Sequence, residues 1–424
     1  MRSTGVAVAL FLALAFFGAA DARAFASPGA PPDASKRWPT PPPGSYEVLS
    51  EDGAARIPFT IFRGDILMDA EIGGRKLRLM LDNGVLWDQL LLFGSPRIDS
   101  LELAYGDTIL VGGAGDGDPV VSLMARDVAV RFAGVEFAGQ EAIVTPYASG
   151  LTDLWEGADG QVSAAFFKHF VVDIDFDAMT ITLIPPDDFE YRGGGGAIPM
   201  RPMPNGSYTL PATLRYQGGA LHPGELSIDL GGSHALQLPS PSPRTAPLPE
   251  NTLAVSLGFG VQGEVRGRLG RIAGVRIGPY EVAGVLAGFR DPPALDGEDR
   301  EAYIGFELLS RFNLVFDYAR ERLFIEPNGR FAEPFEHDMS GMGLGRAEDG
   351  TWAVASVRPG TPAEEAGLRA GDRILRIDGK SADGFGRDDL RPLFRRAGAA
   401  LRLRLSRDGT EREIVIVLRL RRLI

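Results

Sequence analysis

The chain has 424 residues, 44% of them hydrophobic, with 54 Gly and 31 Pro, no Cys and a formal net charge of −12. Without Cys there is no disulfide framework, no thiolate metal site and no cysteine nucleophile. The acidic balance, mildly reversed only in the Arg-rich stretch after Ser340, argues against a nucleic-acid partner.

Residues 1–24 read as a signal peptide. Arg2 precedes the apolar run Val6–Phe17, and Ala20-Asp21-Ala22 and Ala22-Arg23-Ala24 supply small-x-small cleavage patterns. An uncleaved anchor is the alternative, with a run short for a bilayer. No later segment has transmembrane length, so the expectation is an exported chain, periplasmic or secreted, with no membrane span after signal cleavage. Residues 25–50 hold a dense set of prolines and form an extended tether.

Two β repeats follow, over residues 51–190 and 191–330, separated at the Gly193–Gly196 run. Both contain the same parts in the same order. An apolar strand leads into Asp-x-Gly, as Asp82-Asn83-Gly84 and then Asp229-Leu230-Gly231. A glycine-rich hairpin comes next, with Gly112, Gly113 and Gly115 in the first repeat and Gly258 and Gly260 in the second. A strand pair follows, then a short helix (Ala164–His169, Glu307–Arg311) and a closing segment. The closing segments, Phe170–Pro185 and Phe312–Pro327, align without gaps and pair Asp175 with Asp317. Residues 340–424 form a separate small domain.

A duplicated β unit that contributes one Asp per copy can build a carboxylate dyad. Two carboxyls a few ångströms apart cannot both ionise, so one is held protonated and the pair offers a general acid and a general base together. The Gly after x lets the opposing turn approach where a Cβ would not fit. Other chemistries find less support. His169, His222, His234 and His337 are scattered and form no zinc-binding helix. Ser233 lacks a nucleophile elbow. Gly115-Asp116-Gly117-Asp118 has too few carboxylates for a calcium loop. No cofactor or metal is expected.

These motifs resemble the bacterial exported aspartyl proteases of the retropepsin/pepsin-like type that carry a C-terminal PDZ domain. The resemblance implies a mainly β, bilobal, pseudo-twofold β-barrel body followed by a PDZ domain. It also implies an aspartic-type endopeptidase that cleaves extended peptides or unfolded proteins, with Asp82 and Asp229 sharing a proton and a water. The two glycine-rich hairpins correspond to the family's flaps. Asn83 and Leu230 stand where the family has Thr or Ser, Ser163 stands where it has Gly, and Val85 replaces a small residue. A catalytically degenerate peptide-binding body is therefore the alternative function. In the last domain, Gly341–Gly345 corresponds to a carboxylate-binding loop. Gly343, Leu344, Gly345 and Leu393 would hold a protein C-terminal tail, beside a helix at Asp388–Arg396. A groove closed off and used only for packing is the alternative there. Because the duplication supplies both Asp residues, a monomer is expected.

Overall fold

The computed structural model describes residues 46–84, 89–113, 115, 117–147, 157–163, 165–203, 206–239, 247–291, 301–347 and 349–418. The signal-peptide assignment, most of the tether, Val85, Asp116 and Ala164 lie outside them. Among the described residues no helix is long and apolar enough to cross a membrane. The chain divides between Glu333 and Pro334 into two compact units, both mainly β.

In the first unit the strands form because their apolar residues alternate. Along Ala55–Phe62, Ala55, Ile57 and Phe59 are buried while Arg56, Pro58 and Thr60 are exposed, the period of a strand with one wet face. The two repeats use the same pairings. In the first, strand Arg75–Leu81 pairs in parallel with Gly160–Val162, and Leu90–Leu92 pairs in parallel with Val135–Val144. In the second, Leu221–Asp229 pairs in parallel with Tyr303–Gly305, and Leu236–Leu238 pairs in parallel with Leu286–Arg290. The short helices lie at Ala165–His169 and Phe306–Leu309, the latter starting one residue and ending two residues earlier than the sequence suggests.

Each closing segment is a hairpin, Val171–Asp175 with Thr180–Ile184 and Phe312–Asp317 with Arg322–Pro327. The two hairpins join edge to edge, with Val172 opposite Phe316 and Ile174 opposite Leu314. Their outer edges take the opening strands Ala55–Phe62 and Gly196–Pro199. Asp175 and Asp317 both work as turn caps. Asp175 accepts from the N–H groups of Asp177 and Ala178 at 2.9 and 2.8 Å, and Asp317 accepts from Arg320 N–H at 3.2 Å. This shared sheet ties the two repeats together.

The second unit contains strands Met342–Arg346, Trp352–Val357, Arg373–Ile377, Ala400–Arg407 and Thr410–Val417, in that order across its sheet. Asp378 and Gly379 both have positive φ, 48° and 80°, and make the tight turn into Lys380–Ser381. The helix spans Arg387–Phe394 rather than Asp388–Arg396. The expected loop Gly341–Gly345 is corrected too. Only Gly341 is in the turn, at φ 76°, and Met342–Arg346 is a strand at the sheet edge. Leu344 and Leu393 are both half-buried against that unit's apolar core.

Candidate active site

Asp82 follows the strand Arg75–Leu81, and its N–H donates to Val162 O at 3.0 Å. Asp229 ends the strand Leu221–Asp229, opposite Gly305. The first-repeat register puts Leu81 opposite Val162, which makes Ser163 the counterpart of Gly305. Gly305 is required in its place, since a Cβ there would overlap the carbonyls of Gly232 and His234. Ser163 fits its own site because its hydroxyl donates to Gln89 O at 3.0 Å.

The two Asp-x-Gly turns meet. A Cβ on Gly84 would lie 2.6 Å from Asp229 Oδ1 and 3.2 Å from Asp82 Oδ1, and a Cβ on Gly231 would overlap the Asp82 carboxylate. Each Gly is therefore dictated by the carboxylate of the other repeat. Within its own turn Asp82 Oδ1 accepts from Gly84 N–H at 2.8 Å, and Asp229 Oδ1 accepts from Gly232 N–H at 2.9 Å. Burial, followed by the nearby charge of Asp82, pushes the Asp229 carboxyl up to about 8. The pair therefore favours a state that keeps one proton between the two carboxyls.

Asn83 reaches across the gap. Its Oδ1 accepts from Leu230 N–H at 2.8 Å, and its Nδ2 donates to the Tyr318 hydroxyl at 3.1 Å. Leu230 itself is fully buried. The brace between the turns thus comes from Asn83, with Leu230 contributing its backbone and an apolar side chain.

The glycine-rich hairpins are those between Tyr105–Val111 and Val120–Phe132 and between Thr252–Gly260 and Gly263–Arg271. Their tips touch. Gly113 N–H donates to Gln262 Oε1, and a Cβ on Gly115 would overlap the Gln262 backbone. Val261 is fully buried in an apolar cluster of the first repeat with Met80, Leu91, Phe93, Val111 and Val120. Gly112 directly follows Val111. Gly258 lies at a register shift, and Gly260 pairs with Gly263.

Sequence reasoning gave no site role to Tyr318, Val261 or Gln262, and weighed His234 only as a metal ligand. Gly232 separates His234 from the dyad, as a Cβ there would sit 2.5 Å from Asp229 Oδ2 and would overlap the imidazole. Burial and the Arg290 charge push His234 down to about 4, leaving it neutral beside the dyad. The available sequence signal was the Asn in a hydroxyl position, whose buried amide needs two partners.

Comparison with known proteins agrees with the second unit. Over 110 residues the chain is 33% identical to a C-terminal processing peptidase, chloroplastic, from Tetradesmus obliquus, covering 22% of this chain and 24% of that protein. The chain therefore spans about a quarter of that relative's length. Residues 353–407 match the PDZ domain family, which accounts for the fold from Ala353 to Arg407.

Proposed function

We propose that this protein is an aspartic-type endopeptidase whose Asp82–Asp229 dyad activates a water to cleave extended peptide or unfolded protein chains. One observation carries it: the glycine of each turn is placed against the carboxylate of the other. The repeated pairings and the joined closing hairpins support a pseudo-twofold, two-lobed body of the aspartyl-protease kind, each lobe supplying one Asp.

In the proposed reaction ionised Asp82 takes a proton from water as the water oxygen attacks the peptide carbonyl carbon. Protonated Asp229 donates to the carbonyl oxygen, giving a neutral tetrahedral diol. The diol then collapses. The C–N bond breaks, the leaving nitrogen takes the proton held by Asp82, and a diol hydroxyl returns one to Asp229. The hairpins cover the chain during these steps, and the PDZ domain recruits substrates by their C-terminal ends through the exposed edge of Met342–Arg346. The relative, named as a C-terminal processing peptidase, is consistent with a peptidase that carries such a domain.

Leu230 supports a second reading, peptide binding without cleavage, because its side chain cannot return the brace that Asn83 makes. Comparing Asp82→Asn with the parent protein on a peptide mixture separates the two. Cuts that vanish with Asp82 support the endopeptidase, and no cuts from folded parent protein support the binder.

A further inference from the structure

Asn83 is buried, 4% exposed, in the middle of the candidate dyad, and both ends of its amide are used. Its orientation is set by chemistry. Leu230 N–H is a donor, so the amide oxygen must face it and the NH2 must face the other way. There the NH2 meets the hydroxyl of Tyr318, which comes from the closing hairpin of the other repeat, 235 positions along the chain. The Tyr318 ring is itself held, with Tyr208 at 3.9 Å and Phe167 at 5.3 Å between ring centres. Tyr318 also follows Asp317, whose carboxylate caps the turn and pairs with Arg322 at 2.8 Å.

The duplication supplies independent support. Asn83 corresponds to Leu230, and Tyr318 corresponds to Phe176 in the gapless alignment of the closing segments. The repeat-1 turn and the repeat-2 hairpin are polar with polar, while the repeat-2 turn and the repeat-1 hairpin are apolar with apolar. Phe176 is buried against Phe59 and Phe306, with ring centres at 5.7 and 5.9 Å. A hydroxyl is thus supplied only on the side where the turn carries an amide that needs it.

We infer that Tyr318 is a positioning residue for the dyad, holding the Asn83 amide in the orientation that ties the Asp82 turn to the Asp229 turn. This rests on the endopeptidase reading for its effect on catalysis, but not for its effect on stability.

The test is a double-variant cycle in the full chain with Asn83→Leu and Tyr318→Phe, following thermal unfolding and peptide cleavage against pH. Tyr318→Phe alone should reduce kcat about tenfold with little change in KM and should move the limbs of the pH–rate profile, since the carboxyls are no longer held at one separation. Each single variant should lower Tm. The double variant, which reproduces the Leu230/Phe176 chemistry, should recover much of that Tm while cleavage stays low, because Leu230 N–H has lost its acceptor. Tm losses that simply add, or a Tyr318→Phe protein with unchanged kcat and pH profile, would overturn the inference. Coupled Tm values in a parent protein that cleaves nothing would support the Asn83–Tyr318 tie and reject the endopeptidase reading.

Discussion

Gln262 fastens one hairpin tip to the other: its Nε2 donates to Gly117 O at 2.7 Å while its Oε1 accepts from Gly113 N–H at 2.8 Å. The neighbouring Val261 is fully buried in the apolar cluster of the first repeat. Together they tie the second hairpin tip to the first tip and to the first repeat's apolar cluster. Gln262→Ala removes two neutral hydrogen bonds worth about 0.5–1.5 kcal/mol each. Amide exchange over residues 105–113 should accelerate about tenfold. Unchanged protection there would mean that Val261 and the bond from Gly117 N–H to the Gln262 carbonyl hold the tips without the side-chain amide.

The glycines of the two turns are tested by adding one methyl group. Gly231→Ala drives a Cβ into the Asp82 carboxylate, and Gly84→Ala places one 2.6 Å from Asp229 Oδ1. Each should cost about 1–3 kcal/mol of stability through overpacking and reduce cleavage at least ~100-fold. Gly224 is in a strand of the same repeat with open space around its Cβ position. Gly224→Ala should change stability by less than about 0.5 kcal/mol and leave cleavage intact. Chemical denaturation and initial rates on the same samples check both statements.

Titration of Asp229 should be visible in stability. Its carboxyl is raised from 3.8 to about 8 on folding, so the folded state holds that proton more tightly than the unfolded chain. The stability this contributes is fully present below the unfolded value and is lost as pH rises toward the folded one. Asp229→Asn removes the ionisation. Near pH 3 it should unfold like the parent protein, and it should become the more stable of the two as pH rises, by no more than about 1.4 kcal/mol per pH unit. Parallel stability curves from pH 3 to 8 would show that Asp229 is not raised.

The second unit makes its own prediction. Leu344 is on the edge strand Met342–Arg346 and is half-buried against the unit's core together with Leu393. Peptides ending in an apolar residue with a free carboxylate should bind the full-length protein. Leu344→Lys should weaken that binding at least ~10-fold, and amidating the peptide end should do the same. Fluorescence anisotropy with labelled peptides reads both effects. Equal affinity for free and amidated ends would reject C-terminal recognition.

Much of the body was legible because it is repeated and local. The Asp-x-Gly turns, the hairpins and the closing segments each announce themselves by alternation and glycine, and the Ser163–Gly305 correspondence follows from their spacing. What sequence could not show are contacts between distant side chains. Asn83 reads as a departure from a hydroxyl until Tyr318 is brought beside it, and Val261-Gln262 reads as an ordinary turn until it is found clasped by Gly113 and Gly117. The expected loop at Gly341–Gly345 turned out mostly strand because Met342–Arg346 finds a partner in Trp352–Val357, and glycine content alone gives no sign of that pairing.

The dyad itself is tested most directly by incubating the folded protein with a diverse peptide mixture from acid to neutral pH and reading the products by mass spectrometry, alongside Asp82→Asn. Cuts made by the parent protein and absent from Asp82→Asn are the expected result. Cuts that persist in Asp82→Asn, or none from a parent protein shown to be folded, would contradict an Asp82–Asp229 endopeptidase.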